Sequence, residues 1–289
     1  MKITRKAYAK INLGLDVIGK RDDGYHLVKM IMQNVDIYDT LTFEENASGE
    51  ITLKANSGSV PTDGSNLICK VAHQLKEEFG VKSGADITLE KRIPVAAGMA
   101  GGSTDGAAAY IALNELWGLG LSKEELCKRA VKLGADIPYC IIGGTALSEG
   151  IGEELTVLKD APKVYLVVAK PAIAVSTGWV YTELDSKEIE RHPDIDAIRA
   201  AIEAGDVRGM CDKIHNVLEP VTTGKYSVIK DIEKLLEANG AIRAFMTGSG
   251  PTVFAVYESE EEARKGYEAV QKSCLAPELF LTKPINPGL

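Results

Sequence analysis

A run of small residues between positions 94 and 104 is the part of this chain best suited to bind a phosphate group. Small side chains let the backbone approach an anion, and the N–H groups at the start of a following helix can hold it without a lysine. The run consists of Pro94, Val95, Ala96, Ala97, Gly98, Met99, Ala100, Gly101, Gly102, Ser103 and Thr104. Its two hydroxyl groups, on Ser103 and Thr104, are of the type that contacts phosphate oxygens or a Mg²⁺ ion. A flexible glycine turn has the same composition, so the loop alone does not establish a binding site.

Two charged residues elsewhere have types suited to proton transfer and charge neutralisation. From position 7 to position 17 the apolar residues occupy the odd positions, which predicts a strand whose other face carries Lys10, Asn12 and Asp16. On such a strand Lys10 and Asn12 lie about 6.6 Å apart. Asp136 lies between a glycine that ends a predicted helix and a proline, a constrained position where a carboxylate can act as a general base. In isolation each charge also fits an ordinary role, as a solvated strand residue or a turn residue.

The elements that would position these residues begin with a strand-rich segment. Alternating apolar residues separated by polar turns predict further strands at residues 27–36, 40–45, 51–55 and 85–91. A helix is predicted over residues 67–79, closed by the glycine that follows it, and another over 105–117, where alanine is frequent and proline is absent. Ser122 and Glu125 form the capping box of a third helix, which should end at Gly134.

The second half of the chain alternates strands with helices. Strands are predicted at residues 164–169, 241–246, 252–257 and 279–283. Helices are predicted at 194–203, at 226–238 and after Ser259. A boundary near residue 160 gives an N-terminal domain over 1–160 and a C-terminal domain over 161–289. The pattern favours the α+β class, with a strand-rich N-terminal domain packed against a C-terminal α/β sandwich.

Composition restricts the classes of function. The formal net charge is -8 and the sequence has no basic stripe, so a nucleic-acid partner is not expected. No segment has the apolar length of a membrane span or of a signal peptide, so we expect a cytoplasmic protein without a membrane partner. The five cysteines are scattered and show neither redox nor metal-ligand spacing, so no protein-only metal site is predicted.

Three motifs, in order along nearly the whole chain, resemble those of the GHMP superfamily of galactokinase, homoserine kinase, mevalonate kinase and phosphomevalonate kinase. Residues 9–13 (Ala-Lys-Ile-Asn-Leu) resemble its first motif, residues 94–104 its ATP loop, and residues 246–251 (Met-Thr-Gly-Ser-Gly-Pro) its third motif. The loop has neither the Gly-Lys-Ser/Thr ending of a Walker A motif nor the G-x-G-x-x-G of dinucleotide-binding folds. It departs from the family's usual pattern at Ala100 and Thr104, where glycine and serine are commoner.

Within that superfamily the chain most resembles the kinases that phosphorylate a cytidyl alcohol in non-mevalonate isoprenoid biosynthesis. The resemblance rests on residues 9–13, on 21–26 (Arg-Asp-Asp-Gly-Tyr-His) and on 134–138 (Gly-Ala-Asp-Ile-Pro). It implies a GHMP kinase fold, ATP and Mg²⁺ as cofactors, and a small cytidyl substrate. It also implies that Asp136 takes the proton of the substrate hydroxyl. Lys10 would lie beside Asp136, favour its ionised form and offset charge on the transferred phosphoryl group.

The same resemblance implies which residues hold the substrate. Tyr25 and Tyr181 would stack on the two sides of the cytosine ring, with Trp179 as the alternative to Tyr181. Asn12 and His26 would form hydrogen bonds with the base or with neighbouring groups. The backbone of the third motif would approach substrate or nucleotide phosphates through Thr247, Gly248, Ser249 and Gly250.

Two other functions fit part of the sequence. Another kinase of the superfamily, of the homoserine or mevalonate type, would share the loop but would not need the Tyr25-His26 element. A catalytically inactive relative that binds a metabolite would share the fold but would not need both Lys10 and Asp136. The sequence does not distinguish a monomer from a homodimer.

Overall fold

The computed structural model describes residues 1–287, which form an α+β fold with two β-sheets. The part up to residue 157 contains strands β1 (Lys2–Lys20), β2 (His26–Asn46), β3 (Ile51–Ala55), β4 (Gly84–Glu90), β5 (Thr145–Glu149) and β6 (Glu154–Val157). It also contains helices α1 (Leu67–Phe79), α2 (Gly101–Leu116), α3 (Lys123–Ala130) and α4 (Ile137–Ile142). The strand expected at 51–55 is confirmed, whereas those expected at 27–36 and 40–45 are parts of the single long strand β2.

The later part of the described chain contains the four strands that its sequence predicts, together with more helices than the three predicted there. The strands are β7 (Tyr165–Lys170), β8 (Arg243–Met246), β9 (Val253–Tyr257) and β10 (Glu278–Thr282). The helices are α5 (Thr177–Leu184), α6 (Ile195–Ala204), α7 (Val207–Lys213), α8 (Glu219–Lys225), α9 (Val228–Ala238) and α10 (Glu260–Ser273). None of the helices in residues 1–287 combines the length and the apolar character needed to cross a bilayer.

Each sheet is built from one part of the chain. The first has the strand order β3-β4-β2-β5-β6, with β1 paired to β2, and only its β3–β4 pair is parallel. The second is antiparallel, in the order β10-β7-β9-β8. The chain passes from one sheet to the other between β6 and β7, the interval that contains the boundary placed near residue 160. Residues 1–160 and 161–289 remain our proposed domains.

A shared hydrophobic core joins the two sheets. Ala9, Ile11 and Leu13 of β1 belong to the same buried cluster as Leu166 and Val168 of β7. The alternate residues of β7 face a second cluster, which includes buried side chains of α9. Because both faces of β7 are covered, its sequence is apolar at almost every position instead of at every second one.

Strand β1 is interrupted by β-bulges that change which face its side chains occupy. Its register against β2 shifts between Asn12 and Gly14, so that two residues of β1 occupy the space of one. Leu13 packs in the cluster that contains Ile198 of α6. A Cβ atom on Gly14 would lie only 2.7 Å from Cδ1 of the same Ile198. Positions 13 and 14 therefore both face α6, and this helix approaches so closely because position 14 has no side chain.

The bulge makes one expectation about β1 wrong. Strict alternation placed Lys10, Asn12 and Asp16 on one face, but only Lys10 and Asn12 share it, together with Leu15. Asp16 points to the opposite side, where its carboxylate is buried and contacts Nδ1 of His192 at 2.7 Å. An extra residue in a strand shifts a period-two pattern by one position, and Gly14, a glycine inside the predicted strand, is the local sign of it that the strict alternation ignored.

Some of the predicted helix ends are confirmed by the structure, and others differ from it. Helix α1 has the predicted bounds and is capped by Gly80, whose left-handed φ of 63° allows the chain to turn. Helix α2 begins at Gly101, four residues before the predicted start at Asp105, because the second half of the glycine loop forms its first turn. The capping box of α3 is confirmed, but α3 ends at Ala130 and further turns lead to Gly134.

Candidate active site

A single cavity of about 860 Å³ lies between the two sheets and collects most of the predicted site residues. One wall is the glycine loop at 94–104, and the opposite wall is the hairpin between β1 and β2 together with α5. Lys10 and Asn12 of β1 and Asp136 before α4 line the space between these walls. The cavity therefore has a volume at the upper end of that of small-molecule sites, with the loop at one wall and the hairpin at the other.

The glycine loop presents backbone to this cavity and then starts a helix. Its residues from Pro94 to Gly98 and from Ala100 to Ser103 line the cavity. The N–H of Thr104 makes the first helical hydrogen bond, to the carbonyl of Ala100 at 2.9 Å. The N–H groups before it, in the first turn of α2, have no acceptor within the helix and are available to an anion.

Two residues of the loop do not face the cavity with their side chains. Met99 is 1% exposed and packs in the core, while its carbonyl accepts a hydrogen bond from the N–H of Lys10. The hydroxyl of Thr104 donates to the carbonyl of Tyr8 at 2.9 Å, so it joins α2 to β1. The expectation that Thr104 offers its hydroxyl to phosphate is therefore corrected, and Ser103 is the loop hydroxyl that lines the cavity.

The loop holds two alanines in the left-handed region of backbone space. Ala96 has a φ of 52° and Ala100 a φ of 57°. A side chain in this conformation costs about 1–2 kcal/mol, because Cβ approaches the following carbonyl oxygen. Ala100 thus carries strain that the contacts of the surrounding loop and of α2 must offset.

Lys10 is a buried cation whose hydrogen-bond partners are neutral. Its Nζ donates to Oδ1 of Asn12 at 2.8 Å and to the carbonyl of Gly98 at 3.0 Å. Burial lowers the pKa of Lys10, and the charge of Asp136 opposes that shift only in part. In residues 1–287 no carboxylate pairs with Nζ within 4.0 Å. Lys10 and Asp136 therefore share the cavity without a direct ion pair, and Lys10 has unused capacity to bind an anion.

Asp136 is held at the start of α4 with its carboxylate free. Its backbone has φ -79° and ψ -15°, and its carbonyl accepts the hydrogen bond of the Cys140 N–H at 3.1 Å. The side chain makes no capping hydrogen bond to α4, although it occupies the N-cap position. Pro138, in the first turn of α4, fixes the backbone direction here. A half-buried carboxylate without a partner in the described chain is available as a proton acceptor.

The third motif closes the cavity through a network with β1. The hydroxyl of Thr247 accepts from the N–H of Asn12 at 3.0 Å and donates to its Oδ1 at 3.2 Å. Thr247 is fully buried, so its role is to hold Asn12, while Gly248 and Ser249 line the cavity. Gly250 lies behind them in the turn and donates its N–H to the carbonyl of Thr247 at 3.0 Å. Of the four residues expected here, two therefore reach the cavity and two support them.

The glycine loop and the third motif touch backbone to backbone. A Cβ atom on Gly98 would lie 2.5 Å from the carbonyl oxygen of Thr247, and one on Gly248 would lie 2.9 Å from that of Gly98. Both glycines have left-handed φ values, 70° and 57°. Glycine is thus required at both positions, by the backbone conformation and by the lack of space.

The hairpin end of the cavity carries an aromatic and charged group of residues. The rings of His26 and Tyr181 pack 4.7 Å apart at an interplanar angle of 33°. Tyr25 lines the same end but is 58% exposed. Trp179, the alternative to Tyr181, packs edge-on against the ring of Tyr226 and does not line the cavity. The geometry therefore favours Tyr181 over Trp179 as an aromatic wall.

Sequence reasoning missed a buried ionic cluster beneath the loop. Nζ of Lys91 lies 2.5 Å from Oδ2 of Asp39 and 2.7 Å from Oδ2 of Asp105. The other oxygen of Asp39 accepts from the N–H groups of Arg92 and Ile93 at the entrance to the loop. This cluster joins β2 to both ends of the glycine loop. No sequence motif indicates this cluster, because its members lie up to 66 residues apart in the chain and come together only in the folded protein.

Sequence reasoning also missed the far end of the cavity, beyond the glycine loop. Val60, Pro61 and Leu67 supply apolar surface there, and Ser65 and Asn66 supply polar groups. Such a lining suits a flat heterocyclic ring with a few hydrogen-bonding edges. The residues come from an irregular segment and the start of α1, whose sequence has no binding signature.

The domain composition of this chain matches a known pair of modules. The family model described as "GHMP kinases N terminal domain" matches residues 66–144, and the one described as "GHMP kinases C terminal" matches residues 198–275. A crystal structure of homoserine kinase from Cytophaga hutchinsonii superimposes with a TM-score of 0.77 at 20% identity, covering 99% of this chain and 95% of that one. That likeness establishes the fold alone.

Closer relatives agree on one type of kinase. The chain is 47% identical over 281 residues to 4-diphosphocytidyl-2-C-methyl-D-erythritol kinase of Lachnoclostridium phytofermentans, covering 97% of each chain. It is 45% identical to the enzyme of the same name from Clostridium perfringens, covering 97% of this chain and 98% of that one. A crystal structure of 4-(cytidine 5'-diphospho)-2C-methyl-D-erythritol kinase matches at 30% identity and a TM-score of 0.84, over 99% of this chain and 100% of that one. The chain belongs to the 4-diphosphocytidyl-2-C-methyl-D-erythritol kinase family of the GHMP kinases.

Proposed function

We propose that this protein transfers the γ-phosphoryl group of ATP to the 2-hydroxyl of 4-(cytidine 5'-diphospho)-2-C-methyl-D-erythritol. The products are ADP and the 2-phosphate of the cytidyl alcohol. The observation that carries the proposal is the single cavity, which has a phosphate-binding loop at one wall, an aromatic group at the other, and Lys10 and Asp136 between them.

ATP occupies the loop side of the cavity. Its phosphates lie against the backbone N–H groups at the start of α2, where the helix dipole favours negative charge. Its adenine ring faces Val60, Pro61 and Leu67. This orientation directs the terminal phosphate toward Lys10, whose ammonium has only neutral partners in residues 1–287. The lysine offsets the charge that collects on the transferring phosphoryl group.

Asp136 serves as the general base. Among residues 1–287 its carboxylate has no hydrogen-bond partner that must be displaced, and it lines the cavity near the charge of Lys10. As the 2-hydroxyl oxygen forms its bond to the γ-phosphorus, the bond from that phosphorus to the ADP oxygen breaks. The hydroxyl proton passes to a carboxylate oxygen of Asp136. Lys10 stabilises the anionic phosphoryl oxygens without moving a proton.

Mg²⁺ is proposed as the ion that accompanies the nucleotide. The described residues contain no cluster of three His, Cys, Asp or Glu side chains that could hold a metal by themselves. This fits Mg²⁺, which commonly takes most of its ligands from phosphate oxygens and water. The Ser103 hydroxyl, which lines the cavity beside the loop, is the protein oxygen we assign to it. The ion supplies charge neutralisation on the phosphate oxygens.

The cytidyl group of the acceptor occupies the hairpin side. Tyr181 offers a ring face for stacking on the base, and Tyr25 covers the other face from the exposed hairpin tip. His26 and Asn12 supply hydrogen bonds, the first to the base and the second toward the alcohol next to Lys10. Gly248 and Ser249 approach the diphosphate with their backbone.

The cytoplasm is the compartment we propose. The substrate ATP is made and used there, and the five cysteines are all unpaired thiols, as a reducing compartment allows. Each is isolated from the others, so no disulfide contributes to the fold of residues 1–287.

An acceptor panel tests the proposal. ADP release is measured with purified protein, ATP and Mg²⁺ against the cytidyl alcohol, homoserine and mevalonate at equal concentrations. We expect turnover with the cytidyl alcohol at least about a hundredfold above that with either of the others. Turnover on homoserine or mevalonate alone would assign the chain to another kinase of the superfamily. Nucleotide binding without any turnover would indicate a metabolite-binding protein.

A further inference from the structure

Asp185 bridges the two sides of the acceptor end of the cavity. Its Oδ1 lies 2.6 Å from Nε2 of His26, and its Oδ2 lies 2.6 Å from Nζ of Lys20. Both donors belong to the hairpin between β1 and β2. Asp185 is the residue after α5, one helical turn beyond Tyr181, to whose carbonyl its N–H donates at 3.0 Å. All four residues line the cavity, yet no sequence motif includes Asp185.

The ionisation of Asp185 determines which nitrogen of His26 carries a proton. Hydrogen bonds from Lys20 and from His26 lower the pKa of Asp185, so its carboxylate is ionised at neutral pH. An ionised carboxylate only accepts hydrogen bonds. Nε2 of His26 must therefore be the N–H that donates to Oδ1. In the neutral imidazole the other nitrogen, Nδ1, is then left as a hydrogen-bond acceptor.

The acceptor character of Nδ1 matters for the choice of base. Cytosine carries an amino group at position 4, which donates hydrogen bonds, whereas uracil carries an oxygen there, which only accepts them. A site with a fixed acceptor binds the amino group and leaves an unpaired, desolvated lone pair against the oxygen. The ring packing of His26 on Tyr181 limits the freedom of the imidazole to turn and present a different edge.

We propose that Asp185 is a positioning residue that makes the enzyme select cytidyl over uridyl substrates by holding His26 in the tautomer whose Nδ1 accepts a hydrogen bond. This inference rests on the proposed function, in which His26 contacts the base. It assigns to Asp185 no contact with the reacting atoms. Lys20 secures the carboxylate from its other side.

Asp185→Asn separates this role from a purely structural one. The ammonium of Lys20 can only donate, so it requires the amide oxygen of the new side chain on its own side. The amide NH₂ then faces Nε2 of His26 and donates to it. Nε2 becomes the acceptor, and the proton moves to Nδ1, which now suits the 4-oxygen of uracil. A variant of nearly equal size should thus change which base is preferred.

The measurement is kcat/KM for the cytidyl alcohol and for its uridyl counterpart, in the wild type and in Asp185→Asn. We expect the cytidyl preference of the wild type to fall about tenfold or more in the variant. The nitrogen NMR shifts of His26 in protein labelled at histidine should change from an Nε2–H to an Nδ1–H tautomer. An unchanged preference with an unchanged tautomer would overturn the proposal. A loss of activity that is equal for both substrates would also overturn it, because it indicates a structural role.

Asp196→Asn is a matched control. Asp196 of α6 pairs with Lys29 of β2 at 2.9 Å, so it too links the hairpin strands to a helix of the later half, but it lies outside the cavity. It should keep the wild-type preference. Lys20→Met removes the other partner of Asp185 and leaves the carboxylate facing His26, so it should also keep the preference, whatever its effect on the rate.

A wild type that is inactive on the cytidyl alcohol would refute the proposed function itself. Activity with an unchanged preference in Asp185→Asn would refute this inference alone.

Discussion

Nζ of Lys10 donates a hydrogen bond to the carbonyl oxygen of Gly98, 3.0 Å away and 88 residues further along the chain. This contact joins the first strand to the glycine loop and places a cation at the end of the phosphate-binding backbone. The pKa of Lys10 is lowered because the ammonium is buried. A terminal phosphate would supply the negative charge that the neutral partners do not provide.

Lys10→Met should therefore stabilise the free protein while it destroys the activity. A buried ammonium with only neutral partners opposes folding, and a methionine of similar length removes that penalty. We expect kcat to fall at least about a hundredfold. We expect the unfolding midpoint to rise by about 2–4 °C, as measured by calorimetry without ligand. Lys54→Met, which removes an exposed lysine of β3 that has no ion pair in residues 1–287, should leave the midpoint nearly unchanged.

The stabilisation from Lys10→Met should depend on pH. Because the folded-state pKa of Lys10 lies below its unfolded-state value, the wild type is penalised most at pH values below the folded-state pKa. The penalty fades as the pH rises toward the unfolded-state pKa of about 10.4. The difference in midpoint between variant and wild type should thus shrink between pH 7 and pH 10. A difference that grows over this range would contradict a lowered pKa.

Gly248→Ala should lower the free energy of unfolding and push the third motif away from the glycine loop. Its left-handed backbone penalises any side chain by about 1–2 kcal/mol, and the 2.9 Å approach to the Gly98 carbonyl should add about 1–3 kcal/mol. Urea unfolding measures the total. Gly118→Ala is the matched control, because its φ of 62° is similar and no atom lies within 4 Å of the new Cβ.

The two alanine variants should also differ in function. Gly248→Ala should raise KM for ATP, because it pushes the glycine loop away from Lys10. Gly118→Ala should lose stability alone. Equal losses of stability in the two variants, with ATP binding intact in both, would show that the loops do not need their close approach.

Asp105→Asn should stabilise the protein increasingly as the pH rises. Burial raises the pKa of Asp105 well above its usual value, with Lys91 opposing the shift, and its Oδ1 has no partner in residues 1–287. A raised pKa means that Asp105 favours folding while protonated, below about pH 3.9, and loses this contribution as the pH rises through the folded-state pKa. Thermal unfolding at pH 5 and pH 8 should show a larger advantage of the variant at pH 8. Asp212→Asn, at an exposed position of α7, is the matched substitution against which this difference is measured.

The sequence predicted the parts of the site that depend on local chain geometry. The glycine loop and the turn that carries Tyr25 and His26 follow from small residues and turn residues close together in the chain. Helix α1, with its cap at Gly80, was predicted to the residue for the same reason. The roles expected of Tyr25, His26 and Asp136 came from the resemblance to the GHMP kinases.

Features that depend on contacts between residues far apart in the sequence could not be predicted from the sequence. Gly14 is compatible with a bulge in β1, but it does not tell which way Asp16 turns, because that depends on the approach of α6 to the space beside Gly14. The hydroxyl of Thr104 has the right type for phosphate binding, yet the neighbouring carbonyl of Tyr8 takes it. Asp185 follows a short helix, and its local sequence indicates no function. Its proposed role depends on His26, which lies on the hairpin that faces it.

The most direct test of the account is phosphorus NMR of one reaction mixture, with ATP, Mg²⁺ and the cytidyl alcohol, in the wild type and in Asp136→Asn. We predict that the wild type forms ADP and a new phosphate monoester on the alcohol in equal amounts. The variant should bind ATP with an affinity within a few fold of the wild type but form the monoester about a hundred to ten thousand times more slowly. A wild type that forms no monoester, or a variant that forms it at the wild-type rate, would contradict the account.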